Sequence, residues 1–130
     1  MSIWLNRFDV RNLTSMPQRD LEIGTLLLDV LNACDTIAEV IANRTFDDYR
    51  ANLLVRNTVE RQFIIVGEAL RAALPREPAL TEVIPDLRKI IDFRNLLVHG
   101  YRKLDDALIW QTACADLPLL AVAVRDLLGS

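Results

Sequence analysis

The chain has 130 residues, of which 52% are hydrophobic and 25% are charged, and its formal net charge at pH 7 is -3. This composition predicts one folded domain and excludes a disordered chain. The acidic balance argues against broad, nonspecific binding of nucleic acid, although a local basic site remains compatible with it. Arg7, Asp9 and Arg11 stand where a signal peptide needs apolar residues. No uninterrupted apolar run approaches the ~18 residues of a membrane span, so we expect a cytoplasmic protein without a membrane segment.

The first part of the chain divides into an extension and a long helix. Residues 1–17 are mixed polar and aromatic and form an N-terminal extension of unassigned structure, and residues 18–130 form the predicted domain. From Gln18 to Asn43, apolar residues recur at helical spacing, which predicts one helix. Thr45 stands three positions before Asp48, a pattern typical of an N-cap with an acid in the first turn. A short helical turn or connector is therefore expected there.

The second long helix is predicted from Asn52 to Leu74. Its apolar positions alternate by four and three residues, the seam of a bundle helix: Val59, Phe63, Val66, Leu70 and Ala73. Pro75 and Pro78 are expected to end the helix, and a loop should follow as far as Pro85.

Two further helices complete the predicted fold. Pro85 suits the first turn of the third helix, and Gly100 is well placed to end it. A last helix should run from about Asp105 to Leu128, with Pro118 kinking or splitting it. The third helix would bury Leu87, Ile90, Ile91 and either Leu97 or Val98. No strand periodicity is present, so the expected fold is all-α, an antiparallel four-helix bundle with a kinked last helix.

The predicted bundle is more apolar than a lone monomer needs. Ile64 and Ile65 widen the seam of the second helix, and the segment from Leu117 to Val124 is apolar on nearly every side. A helix that is apolar all round must be buried on more than one side. Because two-fold dimers are the commonest oligomers, we expect a homodimer.

The counts of cysteine, histidine and basic residues restrict the chemistry. Cys34 and Cys114 lie in apolar helical surroundings and are expected to be core thiols rather than a disulfide or a metal pair. His99 is the one histidine, so a single chain cannot supply a histidine-based metal site or a pair of histidines. The basic charge is almost all arginine, with only Lys89 and Lys103 besides. Arginine offers a planar fork for phosphate or carboxylate.

The most unusual chemistry lies at the end of the third predicted helix. Arg94, His99 and Tyr101 are followed by the two bases Arg102 and Lys103. The C-terminus of a helix favours a protonated imidazole. One interpretation is a proton-transfer group beside a phosphate-binding arginine. The other is an ordinary helix stop at His99, with the tyrosine covering the edge of the core, and spacing alone does not separate the two.

The motif Arg94-x4-His99-x-Tyr101, within Phe-Arg-Asn-Leu-Leu-Val-His-Gly-Tyr, closely resembles the signature of the HepT-like toxins. These toxins belong to the HEPN superfamily of small helical ribonucleases. The segment Val59–Ala69, ending in Gly-Glu-Ala, is similar to the family's second helix, and Asn95 matches the polar residue after its arginine. Trp110 and the Asp-Leu-Pro step at 116–118 are similar to its last helix. The resemblance covers about residues 18–128.

The resemblance implies a metal-independent endoribonuclease, the toxin of a type VII-like toxin–antitoxin pair. Arg94 and His99 would be catalytic, and Tyr101 would be the hydroxyl that receives AMP from ATP. The antitoxin would be a nucleotidyltransferase resembling MntA. A histidine suits activation of the ribose 2′-hydroxyl, and an arginine suits the charge on the phosphate. Because each chain has one histidine, a dimer that joins two motifs would supply both an acid and a base.

The substrate expected from the resemblance is RNA. The local bases Arg88, Lys89, Arg94, Arg102 and Lys103 could form a small positive cleft, of which the last two are the predicted RNA-binding residues. With a net charge of -3, we expect selective cleavage of a structured RNA such as tRNA, or of mRNA, rather than general degradation. The alternative function is a non-catalytic helical module for oligomerisation or substrate binding that partners a nucleotidyltransferase.

The remaining polar and aromatic residues carry weaker predictions. Arg61 and Glu68 share one helix face and either support the site or form a solvated pair. Asp92 either orients Arg94 or is an exposed acid. Four aromatic residues are expected in the core or at an interface: Trp4, Phe63, Phe93 and Trp110. No glycine-rich phosphate loop is present, so neither a nucleotide cofactor nor a metal is implied.

Overall fold

The computed structural model of the protein describes residues 17–99 and 105–129. Within these ranges the regular elements are helices, and no strand occurs. The elements, in chain order, are α1 (Gln18–Ile41), α2 (Phe46–Ala51), α3 (Leu53–Arg76), α4 (Leu80–Val83), α5 (Leu87–His99), α6 (Asp106–Gln111), a π-helical turn (Thr112–Asp116) and α7 (Leu117–Leu127). The predicted extension, residues 1–17, lies outside the described residues apart from Pro17.

The core lies between α1 and α3, which pack along most of their length. α5 packs on the far side of α3, and α7 packs on α1. The residues predicted as the seam of α3 are all buried. The prediction of an all-α helical bundle is therefore confirmed, with α1, α3, α5 and the α6–α7 segment as its four rods.

The connection between α1 and α3 has the predicted capping. Thr45 Oγ1 accepts a hydrogen bond from the Asp48 backbone N–H at 3.1 Å, and the Thr45 N–H donates to Asp48 Oδ2 at 2.9 Å. This capping box begins α2, and the pKa of Asp48 is lowered because hydrogen bonds from the Thr45 backbone N–H and side chain favour its carboxylate. α1 ends two residues earlier than predicted, and Asn43 takes a left-handed conformation with φ 61° just beyond it.

The segment between α3 and α5 differs from the prediction. α3 continues through Pro75 to Arg76, and the Glu77 N–H donates to the carbonyls of Ala73 and Leu74, which closes the last turn. A proline in a final turn removes only one helical hydrogen bond, so Pro75 does not end the helix. The predicted loop contains α4, whose Leu80 is buried.

The start of α5 also lies further along the chain than predicted. Pro85 is not in the first turn of α5, because Asp86 has φ 57° and the helix begins at Leu87. Leu87 and Ile90 are buried as expected, whereas Ile91 and Leu97 are only half-buried and Val98 is exposed. Gly100, the predicted stop, lies outside the described residues.

The last helix is interrupted as predicted. The Leu117 N–H donates to the Thr112 carbonyl, five residues earlier, which defines the π turn. Pro118 stands at the start of α7, where its missing N–H is tolerated. The wider turn therefore lets the chain continue as a helix on both sides of the proline.

The face of α7 away from α1 is apolar and exposed. Leu117, Leu120 and Val124 are buried, but Leu119 is 62% exposed and Val122 is 55% exposed. By length and composition, the helical stretch Asp106–Leu127 is apolar enough to cross a membrane, with an 18-residue window of mean hydropathy 1.6. A core helix of a bundle passes the same test, so this is weak evidence for a membrane.

The two cysteines occupy different surroundings, which corrects the prediction that both are core thiols. Cys34 is buried, and desolvation raises its pKa to about 12. Cys114 is exposed, although partial burial of its thiol also raises its pKa. Both are free and line one cavity of about 270 Å³ between α1 and the π turn. Neither is part of a disulfide.

Candidate active site

Gly67 of α3 lies directly against the side chain of Arg94 on α5. A Cβ atom placed on Gly67 would lie 2.1 Å from Arg94 Cβ and 2.4 Å from Arg94 Cγ. Any side chain at this position of α3 would therefore collide with the stem of the arginine. Because Gly67 has no side chain, the stem of Arg94 can lie against α3 at this position.

The Arg94 guanidinium is held by two polar groups. Nη1 donates to Asn95 Oδ1 at 2.9 Å, and Nη2 donates to Glu68 Oε1 at 3.3 Å. The Arg94 side chain is only 12% exposed, whereas the Glu68 side chain is 51% exposed. An arginine has five N–H donors, so these two contacts fix its orientation and leave donors for a ligand.

One donor of Arg94 is buried without an acceptor. Arg94 Nε has no hydrogen-bond partner within the described part of the chain. A buried unpaired donor destabilises the folded protein, and such groups are rare enough to need an explanation. Arg94 therefore carries a donor that the described protein does not use.

Aromatic packing holds α5 next to this arginine. Phe93 precedes Arg94 on α5, and its ring packs on the ring of Phe63 from α3. The two ring centroids are 5.0 Å apart and the ring planes are inclined by 43°. Phe63 is buried and Phe93 half-buried, as the sequence predicted for core aromatics. Trp110 is also half-buried and packs on Tyr49, with centroids 5.4 Å apart. Trp4 lies outside the described residues.

His99 is the last residue of α5 and is exposed. It follows Arg94 by five residues, which is ~7.5 Å along the helix axis and ~140° around it. The two side chains therefore leave α5 in different directions, with His99 at its C-terminal end. Tyr101, Arg102 and Lys103 lie outside the described residues, so their predicted roles are not tested.

The structure supports some of the weaker sequence predictions and not others. Glu68 lies against Arg94, so the supporting contact proposed for it has a structural basis, whereas Arg61 is exposed and does not contact the pair. Asp92 is exposed and is not the acid beside Arg94. Arg88 and Lys89 line different cavities, one on each side of α5, so they do not form one cleft.

Gly67 is the residue whose importance sequence reasoning missed. A glycine inside a helix is unfavourable by about 0.5–1 kcal/mol relative to alanine, and this was a usable signal of close packing. The face that Gly67 presents to Arg94 depends on the register between two helices, which periodicity does not give. Within residues 17–99 and 105–129, no group of three or more His, Cys, Asp or Glu side chains is placed to hold a metal ion.

The fold and this site define a class of protein, namely a helical bundle that positions a partly buried arginine and an exposed histidine on one short helix. Comparisons with known proteins agree with that class. Residues 30–127 match the model of the family described as HepT-like, ribonuclease HepT-like. The protein belongs to the HepT-like ribonuclease family.

Curated relatives cover most of the chain at low identity. Two proteins of Methanocaldococcus jannaschii named as candidate RNases are each 27% identical, one over 105 residues (79% of this chain and 83% of the relative) and one over 112 residues (85% and 98%). A protein of Thermococcus cleftensis named as a probable ribonuclease HepT is 29% identical over 94 residues (72% and 84%). No solved structure gives a significant match.

Proposed function

We propose that this protein is a metal-independent endoribonuclease toxin that acts in the cytoplasm and cuts RNA with Arg94 and His99. The observation that carries the proposal is the oriented guanidinium of Arg94, whose side chain is 12% exposed at the Gly67 contact, on the helix that ends in His99. Membership of a ribonuclease family makes RNA the expected substrate. The names of the relatives are consistent with the same chemistry.

Cleavage without a metal uses the ribose 2′-hydroxyl as the nucleophile. A neutral His99 imidazole accepts the 2′-hydroxyl proton while the O2′–P bond forms. The bond between phosphorus and the 5′-oxygen breaks, and a protonated imidazole gives that oxygen a proton. Arg94 donates to the phosphate oxygens, on which negative charge develops. The products are a 2′,3′-cyclic phosphate and a 5′-hydroxyl.

A homodimer supplies the second imidazole, because each chain has one histidine. The acid is then His99 of the partner subunit. Leu96 and Val98, on the same helix as Arg94, are 46% and 44% exposed and offer apolar area for such a contact. Sedimentation or light scattering of the full chain should give the mass of a dimer.

The nuclease is tested by incubating the purified full chain with labelled RNA and EDTA. We expect cleavage to persist in EDTA, to fall roughly 10²–10⁴-fold in His99→Ala and to fall roughly 10²–10³-fold in Arg94→Ala. Arg125→Ala is the matched control, since Arg125 also pairs with an acid of a facing helix but does so between α7 and α1 rather than between α3 and α5. A folded wild-type protein that never cuts RNA would favour the non-catalytic module instead.

We further propose that an MntA-like nucleotidyltransferase neutralises the toxin by transferring AMP from ATP to the hydroxyl of Tyr101. The added phosphodiester brings a negative charge and a bulky base into the motif, which would exclude the RNA phosphate. Tyr49, the other tyrosine, is an internal control because it is completely buried. Mass spectrometry after incubation with the partner and ATP should place AMP on Tyr101 only. If the Tyr101→Phe protein still received AMP, Tyr101 would not be the modified residue.

A further inference from the structure

The arginines of the described chain fall into two groups. Those that donate to a carboxylate or a carbonyl oxygen are Arg19, Arg44, Arg50, Arg56, Arg76, Arg94 and Arg125. Among residues 17–99 and 105–129, only Arg61, Arg71 and Arg88 form neither a hydrogen bond nor an ion pair with the protein. All three lie on α3 and α5, the two helices that build the Arg94 site.

Two of these free arginines share a cavity. Arg71 comes from the last turns of α3 and Arg88 from the first turn of α5, and both line a space of about 410 Å³. Its apolar lining is Leu74, Pro75 and Ile91, and its one carboxylate is Asp92. Two guanidinium groups against one carboxylate leave the cavity with a net positive charge.

The cavity continues the same contact that holds Arg94. Arg71 follows Glu68 by three residues on α3, and Arg88 precedes Arg94 by six residues on α5. At a rise of 1.5 Å per residue, Arg71 lies ~4.5 Å from Glu68 along the axis of α3, and Arg88 lies ~9 Å from Arg94 along the axis of α5. A polymer that crosses Arg94 in the direction of the α3–α5 contact therefore reaches the cavity next.

The lining suits a nucleotide unit. Guanidinium groups bind phosphate oxygens through two parallel hydrogen bonds and also stack on planar bases. Leucine, proline and isoleucine provide an apolar surface for a base, as in other single-strand sites. A protein of net charge -3 can bind RNA only where its positive charge is locally concentrated. Arg71 and Arg88 provide such a concentration beside the α3–α5 contact.

We propose that the Arg71–Arg88 cavity is a subsite that binds an RNA phosphate neighbouring the one cleaved at Arg94. This inference rests on the proposed ribonuclease function and adds to it the path that the RNA strand follows across the surface. RNA runs along the α3–α5 contact from His99 towards the start of α5. The subsite contributes affinity and register, whereas Arg94 and His99 carry the chemistry.

The test measures binding rather than cleavage. A His99→Ala protein, which should not cut its ligand, is titrated with a fluorescent single-stranded RNA at several salt concentrations. The double variant Arg71→Gln/Arg88→Gln is made in that background. The control is Arg50→Gln, which removes an exposed arginine of α2, roughly 27 Å along α3 from Arg71.

Loss of two phosphate contacts should lower the slope of log affinity against log salt by about 1.4, which corresponds to a roughly 10- to 30-fold loss of affinity at about 0.1 M salt. Arg50→Gln should change the affinity less than about twofold, since its pair with Asp47 is exposed. A double variant indistinguishable from Arg50→Gln overturns the subsite and leaves the nuclease intact.

Two further outcomes also decide the matter. If the double variant loses affinity because it becomes monomeric, as sedimentation would reveal, the arginines belong to a subunit contact and the subsite is wrong. If the protein with intact Arg71 and Arg88 neither binds nor cuts RNA, the proposed function fails, and the subsite fails with it.

Discussion

The α3–α5 contact and the α1–α7 contact each contain one arginine that reaches an acid of the facing helix, and the two arginines differ in burial. Arg125 donates to Asp35 at 3.2 Å, with the two side chains 43% and 50% exposed. Arg94 donates to Glu68 at 3.3 Å but is 12% exposed, and its Nε is buried without an acceptor among the described residues. The two arginine–carboxylate distances are therefore similar, whereas the solvent exposure of the two arginines differs.

This difference separates an exposed ion pair from one in which the arginine side chain is mostly buried. An exposed pair contributes about 0–1 kcal/mol to folding, and water replaces it at little cost. A buried donor without an acceptor, such as Arg94 Nε, destabilises the folded protein. The absence of a side chain at Gly67 leaves room for the Arg94 stem, and Asn95 and Glu68 hold its guanidinium in one orientation.

The sharpest way to break the comparison is to replace each arginine by lysine. Arg94→Lys keeps the charge but loses the planar fork that Asn95 and Glu68 hold. We expect roughly 100-fold lower RNA cleavage, by the loss of oriented donors to the phosphate. Arg125→Lys should retain cleavage within about twofold, because a lysine also reaches an exposed acid. Equal activity of the two variants would mean that burial of Arg94 is incidental.

The Gly67 contact can be tested by a double-mutant cycle. Gly67→Ala should destabilise the fold by about 1–2 kcal/mol, since overpacking outweighs the gain in helix propensity. The penalty should vanish in an Arg94→Gly background, where neither Cβ nor Cγ is present to collide. Urea unfolding of the four proteins measures the coupling free energy. An additive result would show that Gly67 does not position Arg94.

A smaller effect is expected where α3 approaches α6. Desolvation, followed by the charge of Asp106, raises the pKa of Glu60. A carboxyl whose pKa is higher in the folded state binds protons more readily there, so the folded protein loses stability as the pH rises through that pKa. Glu60→Gln should therefore raise the melting temperature slightly at pH 7 and have less effect below pH about 4. Asp35→Asn, at the α1–α7 contact, should not stabilise at either pH.

Local signals in the sequence were sufficient for much of the fold. The Thr45–Asp48 cap depends on residues three apart, and the seam from Val59 to Ala73 depends on one helical period. Both are therefore visible without knowledge of neighbouring helices. The helix α4 was missed because four residues are too few to show a period.

The site was predictable in part. Arg94, His99 and Glu68 were named from the sequence, but Asp92 was considered as the acid that orients Arg94. Residues two apart on a helix do not face each other, and the acid in contact comes from α3 instead. Which residues of α3 and α5 meet depends on packing between distant parts of the chain. The Gly67–Arg94 contact and the Arg71–Arg88 cavity could not be predicted for the same reason.

The π turn has a consequence for comparing this chain with its family. A hydrogen bond from Leu117 to Thr112 encloses one residue more than an α-helical turn would. The residue is accommodated by widening the backbone, so α6 and α7 both keep their apolar sides against the protein. A relative that lacks this widening but packs the same two faces inward should be one residue shorter here. Its alignment with this chain would then need a single-position gap between 112 and 116.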